Sequence, residues 1–208
     1  MERRRIATIV RLMLVLLVTG GVLIWFVYRP WALSWGATPE EVSRPLPGDE
    51  LVARPGFSAT RAVAIDAAAE DIWPWIVQMG YRKAGFYSYD RVDNDGIASA
   101  EVITPEHQDL AVGDLIPLTR SSHVKVVEMT QPKSMVWLFD TAGGWHGATW
   151  VWELVPQGPE RTRLLTRLRL GPVTAPQRLF LELGEIVMMR KCMLGIKRRA
   201  EAQRRGRA

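Results

Sequence analysis

Cysteine is nearly absent from this chain of 208 residues: Cys192 stands alone. A lone cysteine excludes an intramolecular disulfide and any metal site built on a cysteine cluster. Histidine is scarce as well. His107, His123 and His146 fall on separate segments with no carboxylate at a fixed offset, so the spacing that zinc needs is missing. Also missing are a Walker-type phosphate loop, a GxGxxG dinucleotide turn, an HExxH helix and a GxSxG elbow. Asp93-Asn94-Asp95-Gly96 has the acidic alternation of a calcium loop, but Arg91 and Val102 stand at its first and twelfth positions, where carboxylates are required. It reads as a polar turn. No cofactor and no metal is expected. Nor is there an internal repeat of solenoid or propeller length, and 17 glycines and 13 prolines do not make a low-complexity chain.

What the chain does have is apolar bulk. Hydrophobic residues make up 48% of it, enough for a packed core, and nine tryptophans are more than a domain of this size needs to close one. Ring walls of an apolar pocket are one use for them. The formal charge of +5 is unevenly spread. Residues 1–11 carry +3, the stretch from Arg190 to the end carries +7, and the body between them is −5. Basic ends around an acidic body do not make a phosphate-binding face, so nucleic acid is not an expected partner.

Residues 12–28, LMLVLLVTGGVLIWFVY, hold no charge and span roughly 26 Å as a helix. Extending back to Ile6 makes residues 6–28 a transmembrane helix, with Arg11 snorkelling and Trp25, Tyr28 and Trp31 as an aromatic belt. A cleaved signal peptide has a similar start, but this run is long for one. Arg3–Arg5 place the N-terminus in the cytosol and the remaining chain outside a cell membrane crossed once. The basic C-terminal tail leaves a second arrangement open, in which the domain stays cytosolic and the tail meets anionic lipid. Residues 29–56 carry five prolines and no period, and read as an extended linker.

From residue 57 the periodicities alternate in kind. Phe57–Ile65 reads as a strand, with Asp66 as the cap of a helix running to about Met79 despite Pro74. A short helix and loop follow. Then come strands at Leu115–Thr119, His123–Met129, Met135–Asp140, Trp145–Val155 and Arg161–Leu170. In the last of these, Thr162, Leu164, Thr166, Leu168 and Leu170 share a dry face, while Arg161, Arg163, Arg167 and Arg169 share a wet one. Opposing Val155 to Arg161 would set Glu153 against Arg163 and Trp152 against Leu164. Ala175 to about Arg199 forms a long helix. The fold class is therefore α+β, a curved antiparallel sheet around a long C-terminal helix, with one transmembrane helix in front.

This order, with WPWIVQMGYRKAGFYSYD after the first strand, resembles the START/Bet v 1-like helix-grip superfamily over residues 57–208. Within it the likeness is to the polyketide cyclase/dehydrase and lipid-transport group. The resemblance implies a cavity between sheet and helix that takes a hydrophobic small molecule or lipid, and no shared catalytic motif. Gln78, Tyr81, Tyr87, Tyr89 and Asp90 supply aromatic bodies with polar tips for such a site. His146, Trp150 and Trp152 share one strand parity, and Met189 faces them from the long helix. A membrane-anchored, non-catalytic binder is the expected function. A cyclase- or hydrolase-like enzyme using the same cavity, and an interaction module with a filled core, are the alternatives.

Overall fold

The computed structural model describes residues 2–139 and 147–206. Helix α1 (Glu2–Leu23) continues through a π-helical turn (Ile24–Tyr28) into α2 (Arg29–Ser34). The π turn falls just before Pro30, whose ring removes one donor from the helical ladder. Thr8–Ser34 is long and apolar enough to cross a membrane, and none of its most apolar stretch is buried in the protein.

Residues 29–56 are not the extended linker that their prolines suggest. They hold α2, then α3 (Pro39–Ser43), then a 3-10 turn (Asp49–Val52), all packed on the domain. Of the five prolines, Pro30 lies within the continuous run from α1 to α2, and Pro39 stands at the first turn of α3, where no donor is lost. Thr38 and Glu41 close a capping box around α3. Ala32, Leu46 and Val52 are buried.

Six antiparallel strands form one sheet in the order β1-β6-β5-β4-β3-β2. They are β1 (Phe57–Ile65), β2 (Leu115–Pro117), β3 (His123–Thr130), β4 (Ser134–Phe139), β5 (Ala148–Gly158) and β6 (Arg161–Leu170). The outer ends of the strands expected at Asp140 and Trp145 lie outside the described residues. Helix α4 (Ala69–Val77) starts after Ala68 without a side-chain cap. Asp66 is not its cap; its backbone amide donates instead to the Glu201 carboxylate at 3.0 Å. Two short pieces, α5 (Asp90–Asp93) and a 3-10 turn (Pro105–His107), break the polar stretch that follows.

The C-terminal helix is two helices. Gly184 separates α6 (Ala175–Leu183) from α7 (Glu185–Arg205). The sheet curves around α7, which buries Ile186, Met189, Cys192, Met193 and Ile196 against β1, α4 and the sheet interior. Trp75 of α4 donates to Gln203 of α7 at 3.0 Å, closing the far end of the core.

The hairpin register differs from expectation by two residues: Val155 opposes Arg163, Glu153 opposes Leu165 and Trp152 opposes Thr166. Strand β5 runs on to Gly158 through an irregularity after Pro156, leaving only Pro159 and Glu160 to turn. A slip of two keeps every side chain on its face. The arginine face of β6 is nevertheless not wet. Arg163 pairs with Glu41 at 2.7 Å, Arg167 with Asp49 at 2.6 Å, and Arg169 with Asp49 at 2.9 Å. Arg167 also donates to the carbonyls of Glu41, Val42 and Arg44. Arg44 pairs with Glu153, and Leu46 packs on Val136 and Val151. The segment expected to be a tether therefore seals the outer face of the sheet.

Candidate functional site

Between the inner face of the sheet and the α6–α7 corner lies a cavity of about 560 Å³. Its floor is Phe139 at the end of β4, Trp150 of β5, and Leu168 and Leu170 of β6. Phe180 and Leu181 of α6, with Met188, Met189 and Cys192 of α7, form its roof. The side wall comes from the stretch after α4, with Phe86, Ser88, Val92 and Asp93, and from the loop after β2, Leu118 to Ser121. This size falls within the range of about 300–1,000 Å³ common to small-molecule sites.

Three of the residues singled out from sequence line it: Tyr81, Trp150 and Met189. Tyr81 is at the rim, where its hydroxyl hydrogen-bonds Asp95 and accepts from Arg120 at 3.1 Å. Trp150 packs edge-on against Trp137 and tilted against Trp152, with centroids 5.1 and 4.9 Å apart. Its indole N–H donates inward to Thr166 at 2.7 Å, so the ring offers the cavity only an apolar surface.

The others among the described residues do not line it. Gln78 and Tyr87 are buried in a network of their own. The Gln78 amide donates to the Tyr87 hydroxyl at 3.0 Å, the hydroxyl donates to the Trp75 carbonyl at 2.9 Å, and Gln78 accepts from Thr104 at 2.9 Å. That network pins the loop at residues 102–108 to α4, and burial pushes the Tyr87 hydroxyl up from its ordinary pKa. Trp152 is wholly enclosed behind Trp137 and Trp150. Tyr89 lies on the outside, with the Lys191 ammonium 3.8 Å from its ring. Asp90 accepts from Ser99 at the start of α5. His146 lies outside the described residues.

Sequence reasoning missed the polar members of the site. Asp93, in the turn read as merely polar, lines the cavity. Among the described residues neither of its carboxylate oxygens has a hydrogen-bond partner. The nearby Ser88 hydroxyl donates instead to the Met188 carbonyl at 3.1 Å. Burial, and then repulsion from Asp90, raise the Asp93 pKa against the pull of the nearby Ser88 hydroxyl and the Asp93 and Tyr89 amides. Glu185 also faces in. It meets Arg61 at 2.6 Å without a well-aligned hydrogen bond, while Arg61 donates to the Ala32 carbonyl at 2.9 Å. Burial raises the Glu185 carboxyl and lowers the Arg61 guanidinium, each against the pull of the other. Cys192 is raised by burial and by the charges of Asp93 and Glu185. Glu185, Met188, Met189 and Cys192 recur at helical spacing, and that stripe was readable in the sequence.

No protein-family model and no curated protein matches this sequence. Solved structures do. A protein from Nitrosospira multiformis aligns with a TM-score of 0.51 at 11% identity, over 72% of this chain and 99% of its own. The Aha1 dimer from Colwellia psychrerythraea aligns at 0.47 and 14% identity, over 70% of this chain and 96% of its own. The fold is of the helix-grip kind. At such identities the likeness carries the fold and nothing of the activity. In this helix-grip domain the long helix is α7, and the cavity is at the end where α6 crosses the sheet.

Proposed function

We propose that the chain is a membrane-anchored member of the START/Bet v 1-like superfamily that holds a hydrophobic small molecule or lipid in the cavity under α6, without catalysing a reaction on it. The carrying observation is the 560 Å³ space floored by Trp150, Leu168 and Leu170, on a chain that begins with a helix apolar enough to span a bilayer. Covalent catalysis through the cavity's thiol is not favoured. Cys192 is that thiol, and its pKa is raised, the opposite of what an attacking thiolate needs.

Anchoring follows the same reading, with the N-terminus cytosolic and the domain outside. Contact with anionic lipid fits Arg190 and Lys191 better than the C-terminal tail. Those two cations lie over Trp35 and Tyr89 beside Tyr28 and Trp31, where the span meets the domain. Arg198, Arg199 and Arg204 of the tail are already paired with Glu101 and Glu160.

Titration of the full chain in nanodiscs with the neutral dye Nile red tests the reading. Saturable uptake should be weakened about tenfold or more by Trp150→Ala, which removes the largest floor ring. Uptake that is unchanged in the variant, or never saturable, would set the proposal aside.

A further inference from the structure

The polar groups that face the cavity are unequal. Trp150 donates to Thr166, Ser88 donates to Met188, and Glu185 is held by Arg61. Arg120, the basic residue among the described lining, sits at the rim against Asp95 at 2.8 Å. What is left is an acceptor. Both Asp93 oxygens are shut off from water and have no aligned hydrogen-bond donor among the described residues, although the Ser88 hydroxyl is near, and the floor and roof opposite them are apolar.

We infer that the ligand of this cavity is an apolar molecule ending in a hydrogen-bond donor, a protonated amine first and a hydroxyl second, and that Asp93 receives it. The inference rests on the proposed use of the cavity as a binding site. A buried carboxylate without a donor is costly, and a guest that supplies N–H or O–H groups removes that cost. A guest ending in a carboxylate does the reverse. It would meet Asp93 and Glu185 as like charges, with the nearest wall cation already engaged by Asp95. Single-chain fatty acid anions are thus the wrong class, although a chain of net charge +5 would attract them from bulk water. The preference for the amine runs against the global charge, which separates site recognition from non-specific attraction.

The test is a competition read by native mass spectrometry. The full chain in neutral detergent is incubated with an equimolar mixture of decylamine, decanol and decanoate. Bound decylamine should exceed bound decanoate about tenfold, the gain of one hydrogen bond to a charged group, with decanol between them. In Asp93→Asn the amine advantage should collapse towards unity while decanol is still taken up, which also reports that the variant is folded. Equal binding of all three, or decanoate ahead, overturns the inference and leaves the cavity reading standing. An amine preference that survives in Asp93→Asn overturns it too. If none of the three binds and Nile red does not either, the cavity reading fails first and the inference falls with it.

Discussion

Asp93 keeps a carboxyl group out of water with the Ser88 hydroxyl and the Tyr89 amide close by but not aligned as hydrogen-bond donors, and its neighbour Asp90 adds repulsion. Its folded pKa is raised, so the folded chain holds the proton more tightly than the unfolded one. Stability from that difference is fully present below the unfolded value of about 4 and is lost as pH climbs through the raised folded value. Asp93→Asn removes the titration. The variant should be more stable than the parent by about 1 kcal/mol at pH 7, the low end for an unsatisfied buried group because the residue is only half buried. The two should converge near pH 4. Urea unfolding at both pH values measures the gap, and a variant less stable at pH 7 would show that the carboxylate has a partner. The sequence could not show this, since DNDG is common turn chemistry and only the fold turns Asp93 inward. Gln78 and Tyr87 show the converse: a buried amide–hydroxyl pair looks the same in sequence whether it holds a ligand or a loop.

At the scale of elements, the segment between the span and β1 is the largest departure from what periodicity suggested. Its prolines suggest extension, yet Thr38-Pro39-Glu40-Glu41 has both marks of a helix start, proline at the first helical position and a capping box. The arginines of β6 likewise alternate as a solvated face would. What the alternation cannot reveal is that a covering segment holds Glu41 and Asp49 against them, and its Arg44 against Glu153 of β5. Leu46 is the apolar pin of that cover, against Val136 and Val151. Leu46→Ala should cost about 2–3 kcal/mol in chemical denaturation. A chain begun at Phe57 should fall further in thermal stability than one begun at Arg29, because it bares Val136 and Val151 and strands Arg167 without its acceptors. Equal melting temperatures for the two shortened chains would return residues 29–56 to the status of a passive tether. The strand faces, by contrast, were legible, because a register slip of two in the β5–β6 hairpin leaves side-chain parity intact.

For the whole molecule, the α+β class and the sheet around a C-terminal helix could be read from the switch between periods of two and of 3.6. The attachment of the N-terminal helix to the domain could not, because it depends on pairs far apart in the chain. Arg29 grips Glu182 through two hydrogen bonds of 2.7 Å, the Tyr28 hydroxyl donates to the Leu183 carbonyl at 2.6 Å, and the Ala32 carbonyl receives the buried Arg61. The helix thus enters the domain without a flexible joint, and α6 is fastened to its end. Leu179 and Phe180 of α6 are 61% and 58% exposed, more than apolar residues gain from facing water. With the proposed anchoring, these contacts set α6 at the bilayer surface. The β5–β6 turn lies at the other end of ten-residue strands, roughly 30 Å away. A fluorophore on Leu179→Cys should therefore be quenched by nitroxide-bearing lipid well beyond one on Gln157→Cys, both being exposed positions. Buried Cys192 stays out of reach of the label. Arg29→Ala, which frees the end of the span from α6, should narrow that difference. Equal quenching at the two positions in the parent chain would mean that the domain does not ride on its helix at a fixed tilt, and that the cavity roof does not face the lipid.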